Sequence, residues 1–156
     1  MLKERSVGAI IFYIKGTTPL FLLLRYPASE EITTIDGAPV DEYWEFVKGH
    51  VESTIDTDEI DTLTREIREE TGITNIEIHQ PFREEINYHF MRSHGVVYKE
   101  VVFYLVEVKS QDVKLSDEHI SHDWLPYGKA HVLTPFEKSK EVLKKANEFI
   151  EGRLVK

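Results

Sequence analysis

Apolar and polar positions along this 156-residue chain fall into blocks of two different periods. Residues 7–14 (VGAIIFYI) are rich in β-branched and aromatic side chains, which predicts a strand. Residues 15–19 supply a turn, and residues 20–26 (LFLLLRY) predict a second strand, so the pair makes a hairpin. Leu20 to Leu24 has the composition of a buried helix as well, but Pro19 and Pro27 leave it too short. Near-continuous apolar runs fit strands covered on both faces, which predicts helices on each side of a sheet. Residues 27–43 form a long polar connection with Pro27, Gly37 and Pro39. Connections of that length are either binding elements or tolerated surface excursions. Residues 44–47 (WEFV) predict a short strand that delivers Lys48, Gly49 and His50.

The period then changes. A helix is expected to start near residues 56–58: Asp56 and Glu59 have capping-box spacing, and Thr57 is a rival cap. Ile60, Leu63 and Ile67 recur at i, i+3 and i+7, the spacing of one buried stripe. Gly72 is placed to stop the helix in a left-handed conformation. Residues 76–90 predict a strand, a kink near Pro81 and a second strand, EEINYHF. A hairpin-like turn over 92–95 leads to residues 96–108 (VVYKEVVFYLVEV), the strongest strand pattern in the chain. Residues 110–122 are polar and acidic and predict a loop, and residues 124–133 a short strand and a turn. Residues 135–149 predict a helix whose apolar side draws on Phe136, Val142, Leu143, Ala146 and Phe149. Strands, helix, strands, helix is the order of an α/β domain with a mixed sheet and helices on both faces.

Composition narrows the possible functions. At this length the expectation is one domain with a substantial core, and 41% apolar residues argue against disorder. A formal net charge of −9 disfavours a broad nucleic-acid-binding surface. It leaves an anionic small substrate possible, because a bound cation and a few local bases reverse the field at a site. With no cysteine, a disulfide framework and a thiolate metal site are excluded. The longest apolar runs, such as AIIFYI, fall far short of a membrane span, and MLKERSVGAI lacks a signal peptide's apolar core. A soluble cytoplasmic protein is the expectation.

The chemistry concentrates in residues 44–73, WEFVKGHVESTIDTDEIDTLTREIREETGI. Glu66, Glu69 and Glu70 stand at i, i+3 and i+4, on one helical face. Counting about 100° per residue sets that face about 120° from the apolar stripe, at the rim of the core. Crowded carboxylates repel one another, and a hard divalent cation with oxygen ligands relieves the repulsion. The bland alternative is a solvated Glu-rich face. Gly49 lets backbone approach closely and offers its carbonyl as a further ligand. Arg65 is expected to point to a different face, where it anchors the loop or holds a carboxylate in a bidentate pair. A cation gripped there would draw charge from phosphoryl oxygens while water attacks phosphorus. His119 and His122, with the distant His50, make a weaker zinc-site pattern, and Trp44 and Trp124 border predicted strands as structural residues.

KGHVE followed by REIREETGI closely resembles the Nudix box. Gly49, Arg65, Glu66, Ile67, Glu69, Glu70, Gly72 and Ile73 match its pattern. The spacing from Gly49 to Arg65 is two residues longer than the usual box, and Thr57 stands where an early Glu is expected. The resemblance implies an α/β/α sandwich and Mg2+- or Mn2+-dependent hydrolysis of a nucleoside diphosphate linked to another group. It implies that Glu66, Glu69 and Glu70 bind metal or serve the attacking water. Beyond the box, AIIF, FLLLR, FREEINY, KEVVFYLVEV, LSDEHISHDW and AHVLTPFEKSKEVL are similar to the asymmetric diadenosine tetraphosphate (Ap4A) hydrolases of that family. On that likeness Tyr88 stacks on an adenine, Phe136 supplies the opposing ring, and Lys99, His50 and Lys48 reach the polyphosphate. Glu118 becomes the distal acid that completes the metal site or activates water. The implied substrate is a dinucleoside polyphosphate. The rivals are a broader pyrophosphohydrolase, acting on ADP-ribose, modified triphosphates or RNA ends, and a nucleotide-binding module without turnover.

Overall fold

The computed structural model describes residues 2–51 and 58–153. Two long strands form the spine: β1 (Leu2–Lys15) and β8 (Gly95–Val108) run parallel, in register from Leu2 opposite Val97 to Phe12 opposite Glu107. The remaining strands pair antiparallel, giving a mixed sheet in the order β4-β3-β7-β8-β1-β2-β5, with β6 on β1 and β9 on β2. These are β2 (Thr18–Tyr26), β3 (Ser29–Thr33), β4 (Pro39–Val40), β5 (Tyr43–Glu45), β6 (Val47–His50), β7 (Ile76–Arg92) and β9 (Ser121–Pro126). The helices are α1 (Glu59–Thr71), α2 (Tyr127–Leu133) and α3 (Glu137–Arg153).

The continuous apolar runs are explained by layers on both sides. Along β1, Ile10 and Phe12 face one core with Phe21, Phe103, Leu143 and Ile150. Val7, Ala9 and Ile11 face the other, against Leu63 and Ile67 of α1. Strand side chains alternate, so each residue of such a run is buried, but on opposite faces. The result is the expected sandwich, with α1 on one face and α2 and α3 on the other.

Several sequence expectations change in detail. The 44–47 segment is not one strand: β5 pairs with β2, β6 pairs with β1, and Phe46 lies between them. Tyr26 fixes the break, its hydroxyl donating to the Phe46 carbonyl at 2.6 Å. The polar connection 27–43 is not only loop, because β3 and β4 form an edge hairpin around a turn at Thr34 and Gly37. Its short, polar strands carry little alternation to read. Pro81 does not split its strand. β7 is continuous, and the disturbance appears as a register shift between Ile78 and Arg83 where Pro81 has no N–H to donate. Residues 127–133 are helix rather than turn; Gly128 and a single buried residue, Ala130, hide the helical pattern. Phe136 lies outside α3 and is 44% exposed, while Ile150 takes the buried place at the other end.

Helix α1 ends as expected, with Gly72 at φ 74° donating to the Arg68 carbonyl. Asp58 is its N-cap and accepts from the Asp61 amide; Asp56 and Thr57 lie outside the described residues. Its first residue, Glu59, ties the helix to the sheet. Arg83 forks onto it through Nη2 at 2.8 Å and Nε at 3.2 Å, Arg5 reaches it at 2.8 Å, and the Tyr104 hydroxyl also contacts it.

The Arg83 hydrogen bonds, with help from Tyr104 and Arg5, hold the Glu59 carboxyl at about 2. An unfolded Glu titrates near ~4.3, so the stabilisation is complete above that pH and lost as pH falls toward the folded value. Glu59→Gln should cost about 1–2 kcal/mol at pH 7, allowing for the partly solvated setting. In denaturant melts the gap to wild type should close between about pH 4.3 and pH 2. A gap independent of pH would show that the charge is not what holds α1.

Candidate active site

Residue Gly49 begins the site. It sits on β6 opposite Val7, and a Cβ built on it would lie 1.9 Å from Glu66 Cδ and 2.2 and 2.3 Å from the two carboxylate oxygens. The Glu66 carboxylate therefore occupies the space a side chain at 49 would need. Arg65 holds the group together, and it does not point away as expected. Its Nη1 donates to Glu66 at 2.8 Å and Glu69 at 3.1 Å, and its Nη2 donates to the His50 carbonyl at 3.2 Å. Among the described residues it bridges two carboxylates and a strand end.

The three helical acids do not share one environment. Glu66 and Glu70 are buried, while the Glu69 side chain is 51% exposed. Burial pushes the Glu66 carboxyl up to about 7; Glu70 and Glu69 push it the same way, and Arg65 opposes them. A cation set among these acids would offset that penalty.

On the far side of Glu70, the segment between β8 and β9 folds back over the C-terminal end of α1. The Ser116 amide donates to the Glu70 carbonyl at 3.1 Å, and the Lys114 amide donates to the Thr71 carbonyl at 2.8 Å. Ser116 Oγ donates to the Glu70 carboxylate at 2.9 Å, and His119 Nε2 meets the same oxygen. Glu70, Glu118 and His119 bring ligand atoms within 4.8 Å of one another. Although burial raises it, the Glu70 carboxyl is held below its ordinary value by His119, Glu118 and Ser116. Glu118 is raised by the hydrogen bond it shares with Glu70. This mainly oxygen donor set, in which Glu70 is buried and Glu118 is exposed, suits a divalent cation reached from solvent. His50 and His122 do not join it among the described residues, which removes the three-histidine zinc pattern.

The other expected residues meet in a cavity of about 610 Å³. Tyr88, Phe136, Lys48 and Lys99 all line it. Lys48 Nζ is 3.5 Å from the Tyr88 hydroxyl. Lys99, opposite Tyr88 in the β7–β8 ladder, is buried, and burial with the nearby Lys48 charge lowers its ammonium to about 8. His50 is half-exposed beside Glu4, outside the cavity lining.

Tyr26 joins cavity and acids, and the sequence did not single it out. Its ring stacks on Tyr43, a cavity residue, with centroids 5.1 Å apart and planes 3° apart. Its other neighbour is His119, edge-on at 4.5 Å. Ser116 and Glu45 were likewise missed as site residues, and His119 was weighed only in a zinc pattern with His50 and His122. The SDEH string pointed only to its acid.

Comparison with known proteins places this arrangement. Residues 2–146 match the family described as NUDIX domain. The chain is 34% identical to the asymmetrical bis(5'-nucleosyl)-tetraphosphatase of Rattus norvegicus, across 94% of this chain and 95% of that protein. The Mus musculus protein of the same name is 33% identical over the same shares. A C. elegans Ap4A hydrolase, solved as a binary complex, superposes with a TM-score of 0.75 at 25% identity, covering 96% of this chain and 98% of that one. Matching the family over residues 2–146 and two curated relatives over nearly its whole length, the chain belongs to the Nudix family of metal-dependent nucleotide pyrophosphohydrolases.

Proposed function

We propose that this protein hydrolyses dinucleoside tetraphosphates asymmetrically, Ap4A to ATP and AMP, with Mg2+ or Mn2+ as cofactor. The observation that carries the reading is the adjacency of two unlike regions. An acidic group with Glu66 and Glu70 buried lies beyond His119 on one side of Tyr26, and an aromatic, lysine-lined cavity lies on the other. The first suits a phosphate chain held with metal; the second suits a base and its nearby phosphates. The similarity to two tetraphosphatases over nearly the whole chain supports the choice within the family.

Each residue then has a task. Tyr88 and Phe136 present aromatic faces to one adenine, where stacking is worth ~1–3 kcal/mol. Lys48 and Lys99 neutralise phosphate oxygens from the cavity side. Arg65 keeps Glu66 and Glu69 in place, while Ser116 and His119 orient Glu70 toward Glu118. Glu66, Glu69, Glu70, Glu118 and the Gly49 carbonyl would hold the divalent cation, which would supply Lewis-acid stabilisation of the phosphoryl oxygens. Water adds to one phosphorus, a bridging P–O bond breaks, and a carboxylate of the group takes the proton that water loses.

Ap4A incubated with the protein and Mg2+ should give ATP and AMP in equal amounts on ion-exchange chromatography. ADP as the sole product, or no turnover, would reject the asymmetric assignment. Faster cleavage of ADP-ribose or capped RNA in the same panel would move the protein to the broader reading.

A further inference from the structure

Glu45 is a buried carboxylate that the acidic group does not use. It ends β5, is 2% exposed, and belongs to the wall of the aromatic cavity rather than to the α1 cluster. Taking a carboxylate out of water is costly unless hydrogen bonds replace the lost solvation. Two do. Ser139 Oγ donates to its Oε2 at 2.8 Å, and the Phe46 amide donates to its Oε1 at 3.1 Å. Ser139 is in the first turn of α3, where the helix dipole favours negative charge. Among the described residues, Glu45 forms no ion pair. A carboxylate accepts about four hydrogen bonds, so each oxygen keeps acceptor capacity.

The position of this acceptor matters because of what surrounds it. Tyr43, Tyr88, Phe103 and Phe136 give the cavity aromatic walls, and Lys48, Lys99 and Arg92 give it cations. A base stacked on such rings would turn its edge toward the wall between them, and its phosphates toward the cations. Glu45 is the buried charged acceptor in that wall. A fixed carboxylate demands an N–H donor and repels a carbonyl.

Resting on the base-binding role proposed for this cavity, we infer that Glu45, held by Ser139, is a specificity-determining residue that accepts a hydrogen bond from the exocyclic amino group of the bound adenine. Stacking alone tolerates any base. Glu45 adds selection by chemistry at the ring's edge, because an analogue without the amino group leaves a buried charge with less solvation than its substrate-bound state requires.

The test compares ATP with purine riboside 5'-triphosphate, which keeps the ring and lacks the 6-amino group. Calorimetry on the wild-type protein should show ATP binding about 10–100-fold tighter, the range for a hydrogen bond to a charged group. In Glu45→Gln the ratio should shrink to about threefold or less, because the neutral amide leaves no stranded charge. Ser139→Ala, which frees the carboxylate without removing it, should lower the ratio part of the way. Equal wild-type affinities, or a ratio unchanged in Glu45→Gln, would overturn the inference and leave Glu45 as an anchor for α3. If Glu45→Gln fails to fold, the wild-type ratio and Ser139→Ala decide. The readout is binding, so it is separate from the substrate assignment: a protein that prefers ATP but leaves Ap4A intact would retain the role of Glu45 and lose the tetraphosphatase reading.

Discussion

Glu70→Gln should lower kcat by roughly 10²–10³-fold, the loss typical when one preorganised electrostatic partner of a transition state is removed. The substitution keeps the side chain's size and one carbonyl oxygen, so the bond from Ser116 Oγ survives. It removes the charge that His119 meets and that a bound cation would meet, at the point where α1 touches the segment carrying Glu118. Packing is untouched, so far-UV circular dichroism and the thermal midpoint should stay near wild type. Raising Mg2+ should recover part of the rate if the loss is in metal affinity. Equal turnover by the two proteins across a metal titration would remove Glu70 from the chemistry.

How much of this was legible beforehand divides along a physical line. Local periodicity showed α1 and its stop, because Ile60, Leu63, Ile67 and Gly72 act within a few residues of one another. The β1–β2 hairpin was visible for the same reason. Which face each acid took was not. Three Glu at helical spacing look equivalent in sequence, but Gly49 on β6 and the Ser116–His119 segment bury two and leave Glu69 at the rim. Tyr26 and Glu45 were hidden because their partners are far along the chain. Tyr26 meets His119, and Glu45 meets Ser139. Only the pairing of β2 with both β5 and β9 creates that neighbourhood. The box pattern placed Gly49 and Arg65 in one motif but did not show what links them: one makes room for Glu66, and the other holds it.

That division of labour makes Gly49→Ala the most informative single-atom addition to the chain. The backbone at 49 has no left-handed φ, so alanine adds no conformational strain there. The added methyl would lie 1.9 Å from Glu66 Cδ, far inside van der Waals contact, and one of the two must move. β6 is held to β1 by pairing from Ser6 opposite His50 to Ala9 opposite Val47, so the strand is the less movable partner. Glu66 must swing away, and its bond from Arg65 at 2.8 Å goes with it. A displacement of ~1 Å at a reacting group costs on the order of 10²-fold in rate. The expected result is a loss in kcat of that size with adenine binding nearly intact, since Tyr88 and Phe136 are not disturbed. Adding Glu66→Gln to Gly49→Ala should then cost little more, because the carboxylate is already misplaced. If the two losses simply multiply, Gly49 acts by some route other than seating Glu66.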